Sequence, residues 1–127
     1  MNVFYTENNI KAVCDGDTVT LYLTAFGAGK YGSVSFINLC DEGDEIKAGE
    51  PFGDCEAKKG VFDLISPVDG KVLEVNESVL DNPALLDEGA YLLKARIDSP
   101  PAHTLGEEEY EEYIGSDKAR FHNPREF

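Results

Sequence analysis

Two adjacent lysines, Lys58 and Lys59, interrupt a stretch of apolar and small residues suited to buried β-structure, CEAKKGVFDLISPVDG. The Asp69-Gly70 pair that closes this stretch is a strong turn signal. A lysine supplies a long flexible stem and an amine that is nucleophilic once deprotonated. This lysine pair is the sharpest candidate for chemistry in the sequence.

Conventional catalytic and metal-binding patterns are missing from the sequence. The two histidines, His103 and His122, both lie near the C-terminal end, which argues against a histidine-based nucleophile relay or metal site. No GxSxG, P-loop or dinucleotide fingerprint occurs. The cysteines (Cys14, Cys40 and Cys55) have no CxxC or metal-like spacing, so we expect them to be buried and reduced.

The chain is strongly acidic, with 25 acidic and 11 basic residues and a net charge of −14. Such a surface repels phosphate backbones and anionic lipids, which disfavours nucleic acid and membrane as partners and favours basic protein surfaces. The first residues, MNVFYTENN, lack a signal-peptide pattern, and no apolar stretch approaches the length of a membrane span. A cytoplasmic location is therefore expected.

Strand signals dominate the chain. The segments 18–24 (TVTLYLT) and 33–39 (SVSFINL) alternate with period two, and the intervening AFGAGKYG is typical of a loop or a single helical turn. Further strands are predicted in EIKAGEPF, in GKVLEVN and over residues 91–97. In DNPALLDEG, Asn82, Pro83 and Gly89 mark the cap, start and end of one helical turn.

A short helix is predicted near the C-terminus. Thr104 and Glu107 have the spacing of a capping box, and the acidic helix that follows is expected to end at Gly115. Residues 1–115 thus form one predicted domain, and the tail 116–127, which has no periodicity, is expected to be mobile.

Two weakly similar segments on either side of the lysines indicate where the lysines lie in the fold. GDEIKAGEPF before them and DGKVLEVNESV after them are both turn–strand–turn segments entered through an Asp/Gly pair. Two similar halves that flank a β-hairpin imply a small sandwich with quasi-twofold symmetry. The lysines would then occupy the exposed tip of the hairpin, within reach of an enzyme.

The spacing of Glu56, Lys59, Pro67 and Gly70 resembles the modified-lysine hairpin of lipoyl domains, glycine cleavage H proteins and biotin carriers, and counting back from Gly70 selects Lys59. Lys59 lacks the flanking methionines of biotin carriers. The segments LTAFGAGKYGSVSFINL, GDEIKAGEPFG, EVNESVLDNPALL and EEEYEEYI are similar to H proteins, so the resemblance extends over residues 5–114.

This resemblance implies a mainly β, barrel-sandwich hybrid with short helical additions and a C-terminal helix. It also implies a carrier, not an enzyme, that presents lipoate in amide linkage on Lys59 as a swinging arm. Glu56, Asp63 and Gly70 would set the position that modifying enzymes recognise, and Gly70 is expected at a turn with positive φ. The implied partners are a lipoate ligase or lipoyl transferase, dihydrolipoyl dehydrogenase, glycine decarboxylase and aminomethyltransferase.

The sequence also departs from the H-protein pattern. Where the family has Glu-His-Glu-Trp, this chain has Asn8, Asn9, Ile10 and Lys11. The second glutamate, which in H proteins helps to hold the aminomethylated arm in a cleft, falls on Ile10, and Lys11 is expected to place a repelling charge beside it. The carboxylate four residues beyond the modified lysine is kept as Asp63, whereas a family histidine is replaced by Lys30.

Three functions therefore remain open. The favoured one is an H-like carrier that serves another lipoate-dependent process, such as lipoyl relay, redox defence or sulfur metabolism. The second is a working glycine cleavage H protein that shuttles the aminomethyl group. The third is a carrier-fold module that stays unmodified and acts as an interaction platform.

Overall fold

The computed structural model describes residues 1–101 and 103–116, and strands dominate this part of the chain. The strands are β1 (Asn2–Tyr5), β2 (Ile10–Asp15), β3 (Thr18–Leu23), β4 (Val34–Leu39), β5 (Glu45–Ile46), β6 (Pro51–Ala57), β7 (Gly60–Ile65), β8 (Gly70–Val75) and β9 (Leu93–Ile97). The helices are α1 (Ala25–Tyr31), α2 (Glu77–Asp81) and α3 (Glu107–Ile114), together with a 3-10 helix over Pro83–Glu88.

The strands form two antiparallel sheets. A large sheet has the order β1-β2-β3-β9-β8-β5, and a three-stranded sheet, here called the hairpin sheet, has the order β4-β6-β7. Inward residues of both sheets belong to one apolar core, which includes Leu21, Leu93, Phe62 and Leu64. The predicted mainly β sandwich is therefore confirmed.

The period-two pattern of the sequence accounts for the core. In β3, Val19, Leu21 and Leu23 are buried and alternate with half-buried threonine and tyrosine side chains. Successive side chains of a strand point to opposite faces, so this alternation fixes which face of the large sheet meets the core.

Four local expectations need correction or completion. Helix α1 is longer than the expected single turn, because Thr24 Oγ1 accepts a 3.0 Å hydrogen bond from Gly27 N and Gly32, at φ +86°, ends the helix. Strands β1 and β2 were not predicted. Helix α3 begins two residues later than the expected capping box, and Glu109 Oε1 accepts from Gly106 N at 3.1 Å. The tail beyond residue 116 lies outside the described residues.

The two similar segments that flank the lysines in the sequence also pair with each other in the fold. Strands β5 and β8 pair antiparallel, with Glu45 opposite Lys71 and Ile46 opposite Gly70. The connection is reinforced by Asp69, whose Oδ1 accepts a 2.8 Å hydrogen bond from Ala48 N. Together they support the base of the hairpin that β6 and β7 form between them. Across the described residues, none of the helices has the length and apolarity needed to cross a membrane.

Candidate functional site

Lys58 and Lys59 form the two-residue turn between β6 and β7, as predicted. Ala57 pairs with Gly60 directly below the turn, and both lysine side chains are exposed. Neither lysine has a positive φ, whereas Gly60 has φ +139°, a backbone angle that residues with a Cβ atom rarely adopt. Gly60 thus supplies the positive-φ conformation at the end of the turn, which neither lysine adopts.

The lysine turn is anchored to the end of α1. Lys59 N donates to the carbonyl oxygen of Tyr31 at 3.2 Å, and Lys58 N donates to that of Ser33 at 3.1 Å. A Cβ atom at Gly32 would lie 3.0 Å from Lys58 Cβ, so the base of the Lys58 side chain lies against this connection. The backbone of the tip is therefore held by a second element, while the Lys59 side chain is exposed.

Tyr31 links this anchor to the core. Its side chain is fully buried, and its ring stacks on that of Phe62 in β7 with centroids 3.9 Å apart. Asn9 Nδ2 donates a long hydrogen bond of 3.5 Å to the Tyr31 hydroxyl. Burial raises the pKa of Tyr31 to about 12, although the contact with Asn9 acts in the opposite direction.

Asn9, which the sequence analysis named only as a departure from the family pattern, has a structural role. It is 1% exposed and has φ +65°, a conformation that asparagine tolerates better than most residues. Its Oδ1 accepts from the Tyr110 hydroxyl at 2.9 Å, and that hydroxyl also lies 2.8 Å from Thr24 Oγ1. Helix α3, the start of α1 and the loop before β2 thus share one buried polar network.

Two predicted recognition residues lie on the same strands as the lysine turn. Glu56 is exposed and pairs with Val61, one register step below Ala57 and Gly60. Asp63 pairs with Asp54 further down the hairpin and is half-buried. Both acids lie on the face opposite the buried Phe62, so the structure brings Glu56, Asp63 and the lysine turn together on one hairpin.

Gly70 lies elsewhere, and its expected positive φ is wrong. It is a buried residue at the start of β8 in the large sheet, outside the left-handed region. A Cβ atom at this position would overlap the carbonyl oxygen of Arg96 on the neighbouring strand. Gly70 is therefore required for the close approach of two backbones, and its link to the hairpin runs through its pairing with Ile46.

The residues that replace the H-protein cleft motif face different ways. Ile10 is 0% exposed and belongs to the core, whereas Lys11 lies on the other face of β2, with Nζ 4.8 Å from the centre of the Tyr22 ring. The expected repelling charge of Lys11 beside Ile10 is therefore wrong, because successive residues of a strand point to opposite faces. The replacement Lys30 lies in the last turn of α1.

A cavity of about 680 Å³ lies beside the end of β7. Glu7 is the one carboxylate in its lining, which also includes His103 and Pro67 but neither Asp63 nor Ile10. Among the described residues, no group of three or more His, Cys, Asp or Glu side chains could hold a metal ion. His122 lies outside these residues.

The cysteines fit a structural role in part. Cys14 and Cys55 are buried, and Cys40 is half-buried; all three are thiols that take part in no disulfide. Burial raises the pKa of Cys14, and burial together with the nearby Asp44 charge raises that of Cys40. A raised pKa favours the thiol over the reactive thiolate.

Comparison with known proteins points to one family. A family model described as Glycine cleavage H-protein matches residues 3–117. The chain is 41% identical over 101 residues to the glycine cleavage system H protein of Streptomyces coelicolor, which covers 76% of this chain and 81% of that protein. The corresponding protein of Rubrobacter xylanophilus is 38% identical over 113 residues, covering 86% and 89%.

A solved structure extends the likeness to the fold. The crystal structure of a glycine cleavage system H protein from Mycobacterium marinum matches with a TM-score of 0.78 at 27% identity, and covers 89% of this chain and 94% of that chain. Its fold is the predicted lipoyl-domain-like barrel-sandwich.

Proposed function

The chain belongs to the glycine cleavage H-protein family, whose members carry a covalently attached lipoate on a lysine, and we propose that Lys59 is that lysine here. The observation that carries the proposal is the position of Lys59 at an exposed two-residue turn whose backbone is anchored to Tyr31. An attachment residue must be reachable by a modifying enzyme and held on a rigid base, and Lys59 meets both requirements.

The contacts of the two lysines favour Lys59 over Lys58. The Cβ and Cγ of Lys58 lie against Gly32, in the connection between α1 and β4. Lys59 shares the backbone anchoring, and the atoms nearest a Cβ at Gly32 all belong to Lys58. An amide on Lys59 Nζ would therefore extend the arm from the end of the hairpin into solvent.

The protein acts as a carrier and not as an enzyme in this proposal. When bound, the lipoyl group supplies a dithiolane that accepts a group and two electrons. The chain holds the base of the arm and raises its effective concentration for each enzyme that docks. Those enzymes are a lipoate ligase or lipoyl transferase, which attaches the arm, and dihydrolipoyl dehydrogenase, which reoxidises it.

The carrier serves a lipoate-dependent process other than glycine cleavage, in the cytoplasm. The buried Ile10 supports this assignment, since a cationic group carried by the arm needs a carboxylate opposite the hairpin, and an isoleucine cannot supply one. The retention of Asp63 favours the alternative, a working glycine cleavage H protein that serves glycine decarboxylase and aminomethyltransferase.

Co-expression with a lipoate ligase tests the attachment residue. Intact-mass and peptide-mapping measurements should find one lipoyl group on Lys59 in the wild type and in Lys58→Ala, and none in Lys59→Arg. A label on Lys58, or one that survives in Lys59→Arg, would contradict the proposal. A wild-type chain that stays unmodified would instead support the hypothesis that the protein is an unmodified interaction platform.

A reconstituted glycine cleavage assay tests the process. The lipoylated protein should be reduced and reoxidised by dihydrolipoyl dehydrogenase yet support glycine turnover poorly, with the glycine cleavage H protein of Streptomyces coelicolor as the reference. Turnover equal to that of the reference would restore the ordinary H-protein role.

A further inference from the structure

The outer face of the hairpin sheet carries exposed apolar residues beside the lysine turn. Phe36 in β4, Glu56 in β6 and Val61 in β7 are register partners and form one row across the three strands. Phe36 is 54% exposed and Val61 is 37% exposed, so two apolar side chains flank one exposed carboxylate. The pairing register of β4 with β6 shifts directly before Phe36, between Val34 and Phe36.

The next row of the same face is acidic. Asn38, Asp54 and Asp63 are register partners, and Asn38 Nδ2 donates to Asp54 Oδ1 at 2.9 Å. Two carboxylates on directly opposed residues lower the stability of a sheet through like-charge repulsion. A cationic partner seated on this row would offset the repulsion between the two carboxylates.

The opposite face of these strands accounts for the core. Cys55 and Phe62 alternate with the outer residues and are buried. The outer apolar residues are therefore additional to what the sandwich needs. Exposed apolar side chains rimmed by charge are typical of protein contact surfaces.

We propose that this outer surface, the hairpin face (Phe36, Asp54, Glu56, Val61 and Asp63), is where the enzyme that attaches the arm to Lys59 docks. The inference rests on the proposed function of Lys59. It assigns the partner a specific chemistry, namely an apolar contact for Phe36 and Val61 surrounded by arginine or lysine side chains.

Charge and position together select this partner. The hairpin face begins at the Glu56–Val61 pair, one register step below the pair that closes the lysine turn, so an enzyme seated on it has Lys59 at the edge of its contact area. The three carboxylates complement a cationic rim, and the net charge of −14 speeds encounter with such a rim. Phe36 is the aromatic side chain around which binding energy is expected to concentrate.

Attachment kinetics with a purified lipoate ligase, lipoate and ATP test the inference. Phe36→Ser combined with Val61→Thr should raise the KM for the apo-protein by about tenfold or more, with kcat changed by less than about twofold. The matched controls are Leu73→Ser and Val3→Thr, exposed apolar residues on strands of the large sheet, which should leave both parameters unchanged. Melting temperatures within about 3 °C of wild type confirm folding.

A second matched pair of variants tests the contribution of charge. Asp54→Asn should raise the KM and weaken its dependence on salt, whereas Glu45→Gln, an exposed acid in the large sheet with the same change in net charge, should not.

Failure of the docking inference is distinguishable from failure of the proposed function. A wild-type Lys59 that is never modified refutes the function itself. If Lys59 is modified and the Phe36/Val61 variant keeps the wild-type KM, the function stands and the docking surface is refuted. A KM that rises for dihydrolipoyl dehydrogenase alone, or a wild-type dimer that Phe36→Ser dissociates, would likewise overturn it.

Discussion

The hydroxyl of Tyr110 donates a 2.9 Å hydrogen bond to Oδ1 of Asn9 and joins the C-terminal helix to the loop that precedes β2. The same asparagine contacts the Tyr31 hydroxyl, and the Tyr31 carbonyl oxygen accepts from the backbone of Lys59. The base of the proposed arm is thus connected to α3 through two buried tyrosines and one asparagine.

Removal of the Tyr110 hydroxyl should destabilise the protein. Tyr110→Phe leaves the buried Asn9 Oδ1 without its hydrogen bond from Tyr110 and removes one of the two hydrogen bonds of Thr24 Oγ1, which costs about 1–2 kcal/mol in the free energy of unfolding. Urea denaturation measures this change. Tyr22→Phe, on the half-exposed face of β3, is the control and should change the free energy by less than about 0.5 kcal/mol. Equal losses in both variants would argue against the network.

Two glycine substitutions should change the stability of the protein in opposite directions. Gly70→Ala forces a Cβ atom against the Arg96 carbonyl and should destabilise by about 1–3 kcal/mol. Gly29→Ala, in α1 with open space around the new atom, should stabilise by about 0.5–1 kcal/mol because alanine loses less backbone entropy. Thermal unfolding of both variants provides the comparison, and a neutral Gly70→Ala would show that β8 and β9 can separate without cost.

A glutamate at position 10 should not simply restore an H-protein cleft. Because Ile10 is 0% exposed, Ile10→Glu buries a carboxyl group in the core, at a cost of about 3–5 kcal/mol at neutral pH. Burial raises the folded-state pKa of such a group above its unfolded value, so the penalty should grow as the pH rises above about 4.3. Ile10→Val, which keeps the site apolar, should cost about 0.5–1.5 kcal/mol with no such pH dependence.

Tyr31 should make the protein sensitive to alkali. Its folded-state pKa is raised by burial from 10.0 to about 12, so above pH 10 the unfolded state loses the proton first and stability falls as the pH rises. The stability lost through this group approaches about 2–3 kcal/mol near pH 12, at about 1.4 kcal/mol per pKa unit. Urea unfolding between pH 9 and 11.5 should give a smaller slope for Tyr31→Phe, and an unchanged slope would contradict the assignment.

The lysine hairpin could be predicted because its signals are local. The Asp69-Gly70 turn signal, the apolar stretch that the lysines interrupt and the similar segments on both sides indicate two strands and their connection. The same local signals failed for β2, where Val13 faces outward and weakens the alternation. The predicted start of α3 was too early in the chain, because three consecutive glutamates make the capping partner ambiguous from sequence.

Long-range contacts explain the remaining differences. The sequence predicted that a glycine is needed at position 70. The cause, however, is the carbonyl oxygen of Arg96, in a strand far along the chain. The bond between Asn9 and Tyr110 spans 101 positions and follows no local pattern. An asparagine in a left-handed conformation gives no indication of the tyrosine that will meet it.

The pairing of Tyr5 with Leu105 through two backbone hydrogen bonds has a consequence for synthesis on the ribosome. The first strand is completed by a residue near the other end of the chain, so a nascent chain that has already exposed its lysine hairpin still lacks the segment that seals β1. At ordinary translation rates this delay lasts about 2–9 s. During this interval the position on β1 that pairs with Leu105 has no partner, so the fold of the described residues is completed only after α3 has emerged.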